Sequence, residues 1–279
     1  MIRERPGLPL LRLSAHLGYL FAELVLEDRF RAARDAGFGV IEHPNPYVLP
    51  SSAFRSLCDV NALSVAQIAL PVGKGGGADK GLAALAGREA EQEAALRAAL
   101  AYARAVDCPM IQPMSGTVAP GQEARAWDVY LSNLRRTCSL AAEEGLDVIV
   151  EPISARVVAG YFMSSPARAI AAIEAVAAAN LHLSLDAYHF TLEGVDPAAF
   201  VRENRVGIAH VQIADWPGRH EPGSGRIDFR ALFEALVETG YAGAVGLEYV
   251  PASTAMDGLD WIRLFADRIE PLQPAPRRA

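Results

Sequence analysis

The feature that most constrains this chain is a rhythm: short apolar runs rich in Val, Ile and Leu alternate with longer Ala-rich stretches of helical period. Strands buried on both faces read as continuous apolar runs, and parallel strands joined by crossover helices produce this alternation. Eight strand candidates stand out, at 11–16, 39–42, 63–70, 110–114, 146–153, 181–186, 208–214 and 244–249. Gly37, Gly145 and Gly240 each follow an apparent last helical turn, the usual stop signal, and each hands over to the next strand. Eight strand–helix pairs in a chain of 279 residues fit an α/β fold of the (β/α)8 TIM barrel type, which uses about 250 residues as one domain. The competitor is an open doubly wound sheet, which usually carries a glycine-rich turn after its first strand. Here residues 14–21 read Ser-Ala-His-Leu-Gly-Tyr-Leu-Phe, with no GxGxxG. We therefore expect a single domain over 1–279, with the barrel at about 10–270 and a Pro- and Arg-rich tail, 271–279, that frays.

Composition narrows the partners. A net charge of −7 gives no electrostatic reason to attract nucleic acid or an anionic membrane surface. No stretch reaches the roughly 18 to 20 apolar residues of a membrane span, and the first residues lack the apolar core of an export signal. Cys58, Cys108 and Cys138 form an odd set without CxxC spacing, each in an apolar stretch, which suits free buried thiols and a cytoplasmic setting. The expected partner is a small molecule.

Two segments interrupt the rhythm, 71–87 with Gly75-Gly-Gly77 and 216–226 with Pro217-Gly-Arg-His-Glu-Pro-Gly-Ser-Gly225. Both follow strands, so in a barrel both lie over the C-terminal face, where active sites are built. Polar residues also stand at the ends of apolar strands: Glu151 ends Val148-Ile-Val-Glu, Asp186 ends Leu183-Ser-Leu-Asp, Gln212 lies in His210-Val-Gln-Ile, and Glu248 lies in Val245-Gly-Leu-Glu. On consecutive strands five to eight these side chains converge at the barrel mouth. Three buried carboxylates repel one another unless a cation neutralises them, and oxygen ligands suit Mg²⁺ or Mn²⁺ better than zinc. Gln212 is the weakest member, since a neutral amide serves equally well as an ordinary hydrogen-bonding partner.

His189, three residues after Asp186, is expected in the loop above the sixth strand, and His16 ends the first; either can touch a substrate. His210 shares a side of its strand with Gln212 but lies deeper, which suits packing or support. Arg219, in the long loop after strand seven, can hold a carboxylate bidentately or simply face solvent, and Arg88 is a weaker candidate of the same kind.

The stretch Ile213-Ala-Asp-Trp-Pro-Gly-Arg-His-Glu-Pro-Gly-Ser-Gly-Arg-Ile-Asp228, with Gly246-Leu-Glu-Tyr249 and Glu151-Pro-Ile153, resembles the hydroxypyruvate isomerase family of xylose-isomerase-like barrels. The likeness runs over about 11–261 and includes Gly87-Arg-Glu-Ala-Glu91 and Leu20-Phe-Ala-Glu23. It implies one divalent metal, Mg²⁺ or Mn²⁺, on Glu151, Asp186, Gln212 and Glu248. It also implies proton transfer by Glu151 and Glu248, and a substrate held by His189 and Arg219. The implied reaction interconverts hydroxypyruvate and tartronate semialdehyde through an enediolate, and related barrels suggest a homo-oligomer. Three departures bear on the substrate: His16 and Ser154 stand where the family usually shows asparagine, and 73–80 lacks an expected tryptophan. They leave open an isomerase or epimerase of a related small sugar or four-carbon 2-oxo acid. An abasic-site endonuclease would need several metals, hence more histidine ligands, and a basic surface, against six histidines and a charge of −7 here. A non-catalytic binding barrel is disfavoured by the intact acidic set.

Overall fold

The computed structural model describes residues 10–73, 80–204 and 206–273. The expected fraying from residue 274 onward and most of the 73–80 segment lie outside the described residues. Eight strands follow in chain order: β1 (Arg12–His16), β2 (Val40–His43), β3 (Ser64–Ala69), β4 (Met110–Gln112), β5 (Asp147–Val150), β6 (Leu181–Asp186), β7 (Ile208–Ile213) and β8 (Ala244–Leu247). They close into one parallel barrel in sequence order, and the seam is β1 on β8, with Arg12 opposite Ala244 and Ala15 opposite Leu247. Every expected strand is present, and most are trimmed by a residue or more where the chain turns away from its neighbours.

The connecting helices are α1 (Leu26–Asp35), α2 (Ser51–Asn61), α3 (Glu89–Ala105), α4 (Glu123–Glu143), α5 (Pro166–Val176), α6 (Ala187–Leu192), α7 (Pro197–Glu203) and α8 (Phe229–Glu238). Each longer helix buries one stripe. On α4 the buried positions are Ala126, Tyr130, Leu131, Leu134, Thr137, Cys138 and Ala141, the three- and four-residue spacing of a helix face against a sheet. The glycine stops hold: Gly37, Gly145 and Gly240 all have positive φ just past α1, α4 and α8. Cys58, Cys108 and Cys138 are free and buried. Among the described residues no helix is long and apolar enough to cross a membrane.

Two details depart from a regular alternation. After β8 the chain forms a 3₁₀ segment, Asp257–Phe265, whose Trp261 and Phe265 rings pack on Phe233 of α8. Beyond it the backbone returns to β1: Leu11 N–H donates to Arg268 O at 2.8 Å, and Glu270 N–H to Leu11 O at 2.9 Å. After β6 there are two short helices. His189 therefore sits on α6 and not in a loop, because the Asp186 side chain accepts the Tyr188 N–H at 2.8 Å and starts a helix at the strand end.

Candidate functional site

Two of the strand-end carboxylates, Glu151 and Asp186, meet, with His189 and not Glu248 as the third ligand-bearing side chain of their cluster, and Arg219 bridges Glu248 to Asp186. Glu151 and Glu248 lie one residue past β5 and β8, Asp186 ends β6, and ligand atoms of Glu151, Asp186 and His189 fall within 4.8 Å of one another. Glu151 Oε2 accepts from Gln112 Nε2 at 2.6 Å. Asp186 divides its labour: Oδ1 caps α6, while the buried Oδ2 has no hydrogen-bond partner. Oε2 of Glu248 is likewise buried without a partner. Burial, with Asp186 close by, pushes Glu151 up to about 7. Burial also lifts Glu248 well above the usual carboxylate range, against the pull of Arg219.

Arg219 reaches into this acidic group from the loop after β7. Its Nη2 stands 3.2 Å from Glu248 Oε1 and 3.7 Å from Asp186 Oδ2. The guanidinium lies between two tyrosines, 5.1 Å from the Tyr19 ring centroid and 5.1 Å from that of Tyr188. Burial opposes its charge, but Glu248 and Asp186 more than offset that and raise its pKa further. With all three carboxylates ionised, the one guanidinium would leave two negative charges unbalanced, and burial resists that by raising Glu151 and Glu248. One divalent cation would neutralise those charges, and the orphaned Asp186 Oδ2 and Glu248 Oε2 are oxygen donors of the kind it takes.

His16 packs its ring on Tyr19 at 4.9 Å and places Nε2 3.8 Å from Glu248 Oε1. Burial drives its pKa down to about 4, so it serves this site as a neutral imidazole. His189 is buried on the other side, with Nε2 3.5 Å from Asp186 Oδ2 and burial holding its pKa down. The Ser154 N–H faces Nδ1 of His189 at 3.4 Å. Nδ1 is then the acceptor, which leaves Nε2 protonated in the neutral ring.

Gln212 lies beside Asp186 in the sheet register and turns its Nε2 to Glu42 Oε2 at 3.3 Å. Glu42, fully buried at the end of β2, was not singled out from the sequence. It also takes His210 Nε2 at 2.7 Å, Gln67 Nε2 at 3.0 Å and Ser14 Oγ at 3.4 Å. Burial works against its charge, and His210 with its hydrogen bond outweighs that, keeping Glu42 below the usual carboxylate range. His210 thus has the supporting position its spacing suggested.

A second unforeseen residue is Asp215, which folds the loop that carries Arg219. Oδ1 accepts the backbone N–H groups of Trp216, Arg226 and Ile227 at 2.8, 2.9 and 3.0 Å; Oδ2 accepts those of Gly223 and Gly225 at 2.9 and 2.7 Å. A side chain at Gly225 would meet Trp216 O at 2.1 Å, so that position admits only glycine. Arg219 O accepts the Val250 N–H at 2.9 Å, tying the loop to the segment after β8. Arg88 is elsewhere, paired with Glu91 at the start of α3.

Residues 30–265 match the family model described as xylose isomerase-like TIM barrel. The chain is 35% identical over 258 residues to the 2-oxo-tetronate isomerase of Cupriavidus necator, covering 92% of this chain and 99% of that protein. It is 36% identical over 266 residues to a putative hydroxypyruvate isomerase of Mus musculus, with 92% and 96% covered. Among solved structures, one described as AP endonuclease, family 2 from Brucella melitensis superposes with a TM-score of 0.89 at 32% identity, covering 92% of this chain and 99% of that one.

Proposed function

We propose, from the premise that the chain belongs to the xylose isomerase-like TIM barrel family and to its hydroxypyruvate and 2-oxo-tetronate isomerase relatives, that it interconverts hydroxypyruvate and tartronate semialdehyde. It is an isomerase of small hydroxy-oxo acids. The observation that carries the finer reading is the site itself: two buried carboxylates and the half-buried Glu248, with orphaned oxygens on Asp186 and Glu248, beside one clamped arginine.

The residues divide as follows. Arg219, its Cζ 5.1 Å from the ring centroids of both Tyr19 and Tyr188, takes the substrate carboxylate, for which a guanidinium is suited. Glu151, Asp186, Gln212 and Glu248 hold one Mg²⁺ or Mn²⁺, with Gln212 offering its carbonyl oxygen. When bound, the cation supplies Lewis-acid polarisation of the substrate carbonyl. His189 presents Nε2–H as a donor to a substrate oxygen, and neutral His16 hydrogen-bonds at the opposite side. One of Glu151 and Glu248 takes the proton from C3 of hydroxypyruvate, giving an enediolate. The other returns a proton to C2 and manages the hydroxyl proton that passes between the two oxygens.

A second reading, a four-carbon 2-oxo acid as substrate, is favoured by the relative named 2-oxo-tetronate isomerase, as similar to this chain as the one named for hydroxypyruvate. An endonuclease reading has less support. Among the described residues one cluster of three metal-ligating side chains is formed, whereas that chemistry calls for several metals.

The test is isomerisation by metal-stripped protein with Mg²⁺ or Mn²⁺ added back, hydroxypyruvate and the four-carbon acid run side by side. Metal-dependent turnover of hydroxypyruvate with the higher kcat/KM supports the first reading; preference for the four-carbon acid replaces it with the second. No turnover of either would defeat both.

A further inference from the structure

The barrel lumen beneath the site should be apolar, because three layers of aliphatic side chains normally fill it. Here one level is polar. Glu42 from β2, wholly buried, reaches across to β7 and gathers donors from four other side chains. Space for it is made by Gly246 on β8, the register partner of Gln212: a Cβ there would stand 1.8 Å from Glu42 Oε1. A buried carboxylate is costly unless donors match its oxygens, and four side chains do so here while Gln67 Oε1 and His210 Nδ1 stay without partners, so the cluster calls for a role.

The role follows from which atoms it binds. An amide has two ends of nearly equal shape and opposite polarity, and Gln212 could turn either toward the mouth. With a carboxylate oxygen 3.3 Å below, only the Nε2 end is admissible there, since the reverse orientation would set oxygen against oxygen. Nε2 of Gln67 and Nε2 of His210 approach the same Glu42 oxygen, which prevents the carboxylate from rotating to follow Gln212.

We propose that Glu42 is a positioning residue: it holds Gln212 with Nε2 turned into the barrel, so that its carbonyl oxygen faces the carboxylates of the site. This rests on the reading that Gln212 is a metal ligand. A loose amide at that place would present donors and carbonyl alternately and lose affinity for a cation, whereas a fixed one offers oxygen only.

The experiment measures binding of Mn²⁺ alone to metal-stripped protein by electron paramagnetic resonance, after circular dichroism has established folding. Wild type is compared with Glu42→Gln, which keeps an acceptor, and Glu42→Leu, which keeps none, each also in a Gln212→Leu background. We expect Glu42→Leu to weaken Mn²⁺ binding by about 10- to 100-fold and Glu42→Gln by no more than about threefold. In the Gln212→Leu background the Glu42→Leu change should matter less than about twofold, because the side chain it acts through is gone. If Glu42→Leu does not fold, Glu42→Asp, which withdraws the charge by one methylene, should weaken Mn²⁺ binding in the same Gln212-dependent way. Unchanged binding in the variant that folds, or equal weakening in both backgrounds, would overturn the inference alone. Failure of wild type to bind Mn²⁺ would overturn the metal reading and this inference with it.

Discussion

Replacing Asp215 by Asn changes one atom and no volume, yet the geometry predicts a large local effect. Both oxygens of Asp215 are occupied, Oδ1 by three backbone N–H groups and Oδ2 by two. An asparagine must set its NH₂ against one of these groups of donors, and the cheaper choice is the Oδ2 side, facing Gly223 and Gly225. Each lost hydrogen bond to a charged acceptor costs about 1.5–3 kcal/mol, so the ordered loop loses about 3–6 kcal/mol. That lowers the ratio of closed to open loop by about 150- to 25,000-fold. The opening is local, because β7 and β8 keep their own ladder. The assay is hydrogen exchange: amides of Gly223 and Gly225 should lose protection by that ratio, while Val211 and Leu247, inside the barrel, hold theirs. Since Arg219 rides on this loop, kcat/KM should fall with the closed population. Protection at Gly223 and Gly225 within about threefold of wild type would refute the reasoning, because even one lost bond of 1.5 kcal/mol exceeds that.

Further outcomes follow from other contacts. Arg219→Lys removes a planar group stacked on two tyrosines and leaves a point charge, so KM should rise about 10- to 100-fold, with kcat less affected; a lower or unchanged KM in steady-state kinetics would contradict this. Gly246→Ala forces a methyl against Glu42 and should cost about 1–3 kcal/mol, visible in calorimetry as a fall in Tm of about 2–4 °C per kcal/mol. An unchanged Tm would mean that Glu42 is not held as described. In metal-stripped protein Glu151, raised from its ordinary 4.5 to about 7, binds a proton that the unfolded chain releases. Its contribution to stability is therefore present below pH 4.5 and is lost as pH rises to 7, on the order of 3 kcal/mol over that window. His16 and His43, whose pKa values burial lowers to about 4 and 3, act in the opposite sense, so the comparison is with Glu151→Gln. The stability difference, wild type minus variant, should fall between pH 4.5 and 7 in denaturant titrations, and a flat difference would contradict the assignment.

The barrel was legible because short stretches rich in Val, Ile and Leu recur between helical segments, although β6 alternates as Leu181-His-Leu-Ser-Leu-Asp186 and β4 is only Met110-Ile-Gln112. The site was legible for a related reason: Glu151, Asp186, Gln212 and Glu248 interrupt those runs at the strand ends that face the mouth. The same signal stood at Glu42, which closes the run Gly39-Val-Ile-Glu42, but spacing does not tell that its side chain reaches past β1 and β8 to His210 and Gln212 of β7. Gln112, which supports Glu151, ends its strand in the same manner. Asp215 lies in the stretch that carries the family resemblance, yet its five contacts arise only when the loop closes back on itself. Tyr19 follows β1 and Tyr188 follows β6, and nothing in the spacing predicts that one arginine contacts both rings. The placement of His189 in a loop failed because the Asp186 carboxylate serves as a helix cap as well as a site oxygen.

The most direct test of the central claim is proton NMR of hydroxypyruvate in D₂O with the Mn²⁺-free, Mg²⁺-loaded protein and with its Glu248→Gln variant. The account predicts that wild type replaces C3 protons by deuterium and builds up tartronate semialdehyde, and that the variant does not form the product at a comparable rate while still binding the metal; residual C3 exchange in the variant would assign the C3 proton to Glu151. Product formed with no deuterium in wild type, or product formation undiminished in Glu248→Gln, would contradict a proton transfer carried by these strand-end glutamates.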